Sequence, residues 1–153
     1  MHIKTYRGDR ASLRSSFALA DDSERQISAY IELGDVLVAH DGDTILGHLQ
    51  FLETGKAGVF ELKNMAVDTA RRRAGIGGRL VAAAVSRCRT RGGRRLIVST
   101  ATADIGNLRF YQRQGFRMYR IVQDAFRPDT GYPEDIVIDG IPLRDQVFLE
   151  FWL

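Results

Sequence analysis

The sequence of 153 residues is poor in residues that bind metals or form cross-links. It has one cysteine, Cys88, and three scattered histidines, His2, His40 and His48. A single cysteine cannot form an internal disulfide, and no Cys/His spacing typical of a zinc site occurs. We therefore expect no metal site, and we expect Cys88 to pack inward on a helix and not to act as a nucleophile.

Long apolar runs are also absent. No stretch approaches the ~20 residues that a membrane-spanning helix needs, and the polar N-terminus lacks the apolar core of a signal peptide. We therefore expect a cytoplasmic protein that does not bind membranes. The length fits one domain covering residues 1–153, and 44% hydrophobic with 27% charged residues is typical of a globular protein.

The net charge of +3 conceals a separation of sign along the chain. Residues 66–127 contain 14 arginines and three aspartates, whereas residues 1–65 carry a net charge of −3 and residues 128–153 one of −5. The basic segment suits a polyanion, such as nucleic acid or a phosphate-bearing cofactor. The acidic C-terminal segment suits a cationic substrate.

The most informative stretch runs from Glu61 to Gly78. Its apolar run, Leu62 to Val67, predicts a buried strand, and a loop with three arginines follows. Gly75, Gly77 and Gly78 then precede apolar residues at helical spacing. A strand, a glycine-rich turn and a helix start together predict an anion site, because free N–H groups and the helix dipole favour negative charge there.

The pattern narrows the choice of anion. A dinucleotide fingerprint would need a third glycine where Leu80 stands, and the ending of a P-loop is missing. The remaining motif, Arg72-x-x-Gly75-x-Gly77, resembles the coenzyme A signature of the GNAT family of N-acetyltransferases. The segment Asn107-x-x-x-Tyr111, followed by Gly115-Phe116, resembles that family's second signature.

Periodicity and turn signals predict the order β-α-α-β-β-β-α-β-α-β-β, with a parallel crossover between residues 58 and 100. This order resembles that of the GNAT family over nearly the whole chain. The resemblance implies an α/β fold with a mixed, mostly antiparallel, twisted sheet of about seven strands and about four helices. We expect the last helix to begin at Asn107, and the apolar end, 147–153, to offer an edge for a homodimer.

The resemblance also implies acetyl-coenzyme A as the cofactor, held between the strands that end at Val67 and Thr100. The implied contacts lie on the first strand, the turn and the second signature: Met65, Ala66, Val67, Arg72, Arg73, Ala74, Gly75, Ile76, Gly77, Gly78, Thr100, Asn107 and Tyr111.

Two residues acquire catalytic roles from the resemblance. Glu61 would take a proton from the attacking amine or anchor the substrate, and the Tyr111 hydroxyl would protonate the departing thiolate. Strict alternation along the strand places Glu61 on the same face as Met65 and Val67, with Asn64 on the opposite face.

The long connection 123–145 holds all three prolines and several acidic residues. Connections of this length are typically functional or mobile. If this one folds over the pocket, its carboxylates would bind a cationic substrate together with Glu61: Asp124, Glu134, Asp135 and Asp139.

The acceptor follows only from a finer resemblance. Glu61-Leu-Lys-Asn-Met-Ala-Val67 and Asp139-Gly-Ile141, followed by Arg144-Asp-Gln-Val147, resemble a subgroup of bacterial acetyltransferases that includes aminoglycoside 2′-N-acetyltransferases acting on kasugamycin. The predicted reaction is therefore acetyl transfer to a primary amine of a small cationic molecule, with an aminoglycoside such as kasugamycin as the leading candidate.

Three alternatives stay open: an enzyme acting on protein or peptide amines, a nucleic-acid-binding module and a non-catalytic acyl-coenzyme A sensor. We expect no nucleic acid as partner, because most arginines follow the turn or lie on one helix and no recognition fold fits.

Overall fold

The computed structural model describes residues 1–153. The strands are β1 (His2–Thr5), β2 (Asp35–Asp41), β3 (Thr44–Glu53), β4 (Val59–Val67), β5 (Arg95–Ala101), β6 (Arg117–Val122), β7 (Val137–Ile138), β8 (Ile141–Pro142) and β9 (Gln146–Trp152). The helices are α1 (Arg14–Ala18), α2 (Glu24–Tyr30), α3 (Ile76–Thr90) and α4 (Ile105–Arg113). None of the helices has the length and apolar character needed to cross a membrane.

Seven strands form one sheet in the order β1-β2-β3-β4-β5-β9-β6, and β7 pairs with β8 in a separate hairpin. Only the β4–β5 pair is parallel. The predicted α/β class, the mixed and mostly antiparallel sheet of seven strands and the four helices are confirmed.

Local chemistry explains where several helices begin and end. The Ser23 side chain accepts a hydrogen bond from the Gln26 N–H at the start of α2. Gly92, with φ of 78°, follows α3 in the left-handed conformation that glycine adopts without strain. The prediction that the last helix begins at Asn107 was wrong by two residues, because the Asp104 side chain caps a helix that starts at Ile105.

Helices cover both faces of the sheet. The α3 face carries α3 and α4, and its core includes Leu49, Leu80, Leu96 and Leu149, each with 0% of its surface exposed. Burying one such side chain stabilises the fold by about 1.5–3 kcal/mol. The opposite α2 face carries α1 and α2, which pack on β2 through a smaller apolar cluster.

An extra residue interrupts the alternation of β4. Leu62 pairs with Phe51 and Asn64 with Gln50, so Lys63 has no partner in β3 and forms a β-bulge. Leu62 therefore belongs to the α3 core, whereas Asn64 points to the α2 face and bonds to Tyr30. The bulge reverses the faces of all residues that follow it.

The strand at the C-terminus does not lie at an edge of the sheet. β9 is paired on both sides, with β5 and with β6, so the prediction that 147–153 offers an edge was wrong. The two edges of the sheet are β1 and β6, and on β6 Ile121 is 64% exposed. The homodimer itself stays a prediction.

Candidate active site

The turn between β4 and α3 presents a row of unpaired backbone donors. The first helical hydrogen bond of α3 runs from the Arg79 N–H to the Gly75 carbonyl, at 3.2 Å. The seven N–H groups from Arg72 to Gly78 have no acceptor within the protein. Such a row beside a helix N-terminus favours an anion, because the donors and the helix dipole act in the same direction.

Backbone conformation and close packing shape this turn. Arg73 and Gly75 both have positive φ, 67° and 78°. Left-handed residues of this kind curve the chain so that successive N–H groups face a common concavity. Gly77 serves a different purpose, since a Cβ there would lie 3.1 Å from the Phe110 ring. It lets the start of α3 pack closely on α4.

Beside the turn, β4 and β5 separate. Their pairing ends at Leu62 and Val98, which leaves the last five residues of β4 without a partner on that side. The Asp68 N–H bonds to Leu46 of β3, at 2.8 Å. Because successive N–H groups point to opposite edges of a strand, those of Met65 and Val67 face the gap. An extended ligand can pair with this edge.

The other predicted cofactor-binding residues of β4 and the turn differ in their exposure and orientation. Ala66 is buried, and by the same alternation its backbone faces β3 and not the gap. The Arg72 side chain folds back, with Nε 3.5 Å from the Val67 carbonyl. Arg73, Ala74 and Gly75 are exposed, so their N–H groups are accessible.

Tyr111 approaches the gap from the α3 face. Its ring is 5% exposed and meets Phe110 and Phe116 edge to face, at centroid distances of 5.2 and 5.6 Å. Its hydroxyl makes no hydrogen bond within the protein, yet the oxygen is not sealed from solvent. Burial, together with the nearby Asp104, raises the pKa of Tyr111, so the hydroxyl keeps its proton.

Asn107 joins α4 to the end of β5. Its Nδ2 donates to Thr100 Oγ1 at 3.1 Å, and its backbone N–H donates to the Asp104 carboxylate. The structure thus brings Asn107, Thr100 and Tyr111 together on one side of the gap.

Glu61 lies on the α2 face, opposite Met65. The prediction that the two share a face was wrong, because the bulge at Lys63 shifts the alternation by one residue. Strict alternation would also have separated Glu61 from Asn64, and both instead point to the α2 face. The Glu61 carboxylate is half-buried, with no hydrogen-bond or ion-pair partner in the protein.

Connection 123–145, which we call the strap, joins β6 to β9 and contacts the start of α2. The Tyr132 hydroxyl donates to Asp21 at 3.1 Å, and the Gln26 side chain donates to the Thr130 carbonyl at 2.8 Å. The predicted carboxylates of the strap are all exposed: Asp124, Glu134, Asp135 and Asp139.

Sequence reasoning missed the acidic pair Asp21 and Asp22, of which Asp21 contacts the strap. Partial burial, and then the charge of Asp21, raises the pKa of Asp22. The pair directly precedes Ser23, so in the sequence it looks like an ordinary helix start. The sequence around Asp21 contains no signal that its carboxylate will bond to a side chain 111 residues later in the chain.

A buried polar network lies behind this pair. Asn64 Nδ2 donates to the Phe17 carbonyl and to the Tyr30 hydroxyl, so its oxygen faces His48 Nε2 at 2.8 Å. Because an amide oxygen only accepts, Nε2 carries the proton and Nδ1 accepts from Ser16. Burial lowers the pKa of His48 to about 4, so the ring stays neutral.

Several arginines of the basic segment are bound elsewhere. Arg91 pairs with Asp35 and Glu53, and Arg95 pairs with Glu150 at 2.8 Å. Arg91 thereby ties the end of α3 to β2 and β3, and Arg95 ties β5 to β9. No group of three or more His, Cys, Asp or Glu side chains is arranged to hold a metal.

Alanine at Gly75 is expected to weaken coenzyme A binding about 5- to 10-fold, because an L-residue in the left-handed region costs roughly 1–2 kcal/mol and relaxes by moving the N–H row. Gly92 provides a matched control, since it has the same φ of 78° and equally open surroundings at the other end of α3. Calorimetric titration with coenzyme A should detect the loss for Gly75→Ala only. Equal affinities of the two variants would contradict the assignment of the turn.

Known proteins share this architecture. The sequence pattern of the Acetyltransferase (GNAT) family matches residues 7–116. The uncharacterized N-acetyltransferase YvbK of Bacillus subtilis is 34% identical over 131 residues, which cover 86% of this chain and 83% of the relative.

Two solved structures superpose closely. An acetyltransferase of Bacillus subtilis in complex with CoA has a TM-score of 0.89 and 31% identity, with 99% of this chain and 98% of that one covered. The IAA acetyltransferase of Bacillus cereus has a TM-score of 0.88 and 33% identity, with 99% and 100% covered. The donor-rich turn, the gap beside β4 and these similarities agree: the chain belongs to the GNAT family of acetyltransferases and is an acetyl-coenzyme A-dependent N-acetyltransferase.

Proposed function

We propose that the enzyme acetylates a primary amine of a small cationic molecule, with aminoglycosides such as kasugamycin as the first class to test. The observation that carries this proposal is the placement of Glu61 and Tyr111 on opposite faces of the sheet near the gap between β4 and β5. A base on one side and an acid on the other suit a transfer in which the amine enters from the α2 face.

Separate residues would bind the cofactor and transfer protons. Unpaired N–H groups from Arg72 to Gly78 would hold the diphosphate of the cofactor, and the backbone of Met65 and Val67 would pair with its extended arm. When bound, acetyl-coenzyme A supplies an activated acetyl thioester. Glu61 would accept, directly or through water, the proton that the amine loses as its nitrogen bonds to the acetyl carbon, and Tyr111 Oη would protonate the thiolate that leaves.

The preference for a small cation rests on charge and on closure. Asp21 bonds to the strap, Asp22 beside it is exposed, and Glu61 is unpaired on the α2 face of the sheet. Carboxylates at a pocket attract cations and raise their local concentration. Contact between the strap and α2 favours a closed pocket over the open groove that an extended peptide needs.

A thiol-release assay with acetyl-coenzyme A tests the acceptor class. The panel consists of kasugamycin and other aminoglycosides, polyamines, N-terminal peptides and IAA, the acceptor named for the Bacillus cereus relative. The proposal expects release with aminoglycosides or polyamines. Release with peptides or IAA alone would replace it.

Neutralising the strap should weaken the binding of a polycation. Glu134→Gln with Asp135→Asn is expected to raise the KM for a polycationic acceptor about 3- to 10-fold at low salt, and less at high salt, because exposed charges are screened. Asparagine suits position 135, where φ is 63°. The control is Asp41→Asn with Asp43→Asn, in the exposed β2–β3 turn. If both double variants have the same KM, the strap carboxylates do not bind the acceptor.

A further inference from the structure

Three side-chain hydrogen bonds attach the strap to the first turn of α2 and to Asp21, which precedes it. Tyr132 Oη donates to Asp21, the Arg25 guanidinium donates to the Asp129 carbonyl at 2.8 Å, and Gln26 donates to the Thr130 carbonyl. The partners are separated by 104 to 111 residues in the sequence, so the contact exists only in the folded chain.

Close packing reinforces the attachment. Gly131 has φ of 100°, and a Cβ there would lie 2.6 Å from Ser23 Oγ and 3.0 Å from Arg25 Nε. Phe126 and Tyr132 meet edge to face within the strap, at a centroid distance of 4.9 Å. This segment is therefore fitted to the start of α2 and is not simply lying against it.

Asp21 connects this contact to the sheet. Its Oδ1 accepts from Tyr132 and its Oδ2 accepts from the Tyr30 hydroxyl at 2.8 Å, while that hydroxyl in turn accepts from Asn64 at 2.9 Å. Asn64 follows the bulge of β4 directly. A continuous series of hydrogen bonds thus links the strap to the strand that borders the cofactor gap.

We propose that Asp21 and Tyr132 determine acceptor specificity, by holding the strap closed over the α2 face so that only a small amine reaches the gap. This inference rests on the proposed function, because it assumes that the amine enters from that face. The two residues act on the strap, so they are positioning residues and not catalytic ones.

The geometry explains why closure restricts size. The strap begins and ends at the end of the sheet where the C-termini of β4 and β5 lie. The start of α2 lies at the same end. Attachment between them closes that end of the α2 face. An extended peptide would need the strap to move away from α2, whereas a compact amine can bind beneath it.

The test uses the full chain with two releasing variants, Tyr132→Phe combined with Gln26→Ala, and separately Gly131→Ala. Hydrogen exchange of the amides of 126–132 should become about 5- to 30-fold faster than in the wild type, as expected for the loss of two hydrogen bonds.

The KM for the small amine should rise about 5- to 10-fold with kcat nearly unchanged, and transfer to an N-terminal peptide should rise several-fold. Arg127→Lys changes an exposed side chain of the strap but keeps its charge and all three contacts, so it should match the wild type in every measurement.

The outcomes separate this inference from the proposed function. If the wild type acetylates no small amine, the proposed function fails, whereas the exchange measurement needs no acceptor. Faster exchange with an unchanged KM and acceptor range would refute the specificity role. Unchanged exchange in both releasing variants would show that these contacts do not hold the strap.

Discussion

Replacing Tyr111 by phenylalanine should lower kcat by about 10²–10³-fold, the range typical of a lost general acid. Affinity for coenzyme A should stay within about twofold, because the ring still packs between Phe110 and Phe116. Stability should hardly change, since the hydroxyl that is removed has no partner within the protein. Stopped-flow or steady-state thiol release, with calorimetry for the cofactor, separates these effects.

The pH dependence gives a second check on Tyr111. Burial raises the pKa of this tyrosine, so the acid keeps its proton above the ordinary value of about 10. The wild-type rate should therefore not fall on the alkaline side below that pH. Tyr119→Phe, which alters an exposed tyrosine of β6, is the control and should retain full activity. A Tyr111→Phe enzyme with unchanged kcat would exclude this residue as the proton donor.

Replacing Glu61 by glutamine should lower kcat/KM by about 10²-fold or more and flatten its rise with pH. An amine must lose its proton to attack, and glutamine cannot accept one. The variant should therefore fall furthest behind the wild type at the pH at which the wild type is fastest. A full pH–rate profile of wild type and variant measures this difference.

Glu53→Gln is the matched control for Glu61. It removes the same charge from the neighbouring strand, where the Glu53 side chain is 64% exposed and reaches only Arg91. Its pH–rate profile should overlie that of the wild type. If Glu61→Gln kept the normal rise with pH but raised the KM, Glu61 would be an anchor for the substrate and the base would lie elsewhere.

Much of the fold could be predicted because its signals are local. Asp41-Gly42-Asp43 predicts a hairpin from turn chemistry alone, and Gly75 and Gly92 bracket a helix whose apolar spacing is regular. The donor-rich turn was predictable for the same reason, since its glycines and the helix start are adjacent in the chain. Cys88 was expected to pack inward and is fully buried.

The rest depends on pairing between distant segments, which a single sequence does not reveal. The bulge at Lys63 exists only because of how β4 registers with β3, so alternation counted from Val67 put Glu61 on the wrong face. Asp21 gains its role from Tyr132, and β9 lies inside the sheet because β6 pairs beyond it. In each case the sequence identifies the residue or strand itself, but it does not identify the segment with which that residue or strand pairs.

The bulge residue Lys63 limits how the length of β4 can change during evolution. Deleting this residue would place Glu61, Met65 and Val67 on one face of the strand. Either the Glu61 carboxylate would then turn into the apolar core on the α3 face, or the apolar side chains would leave that core. A loop as long as the strap can gain or lose residues at small cost, but this strand cannot shorten by one. A relative without the extra residue that keeps the apolar side chains on the α3 face would present its residue at position 61 on that face as well.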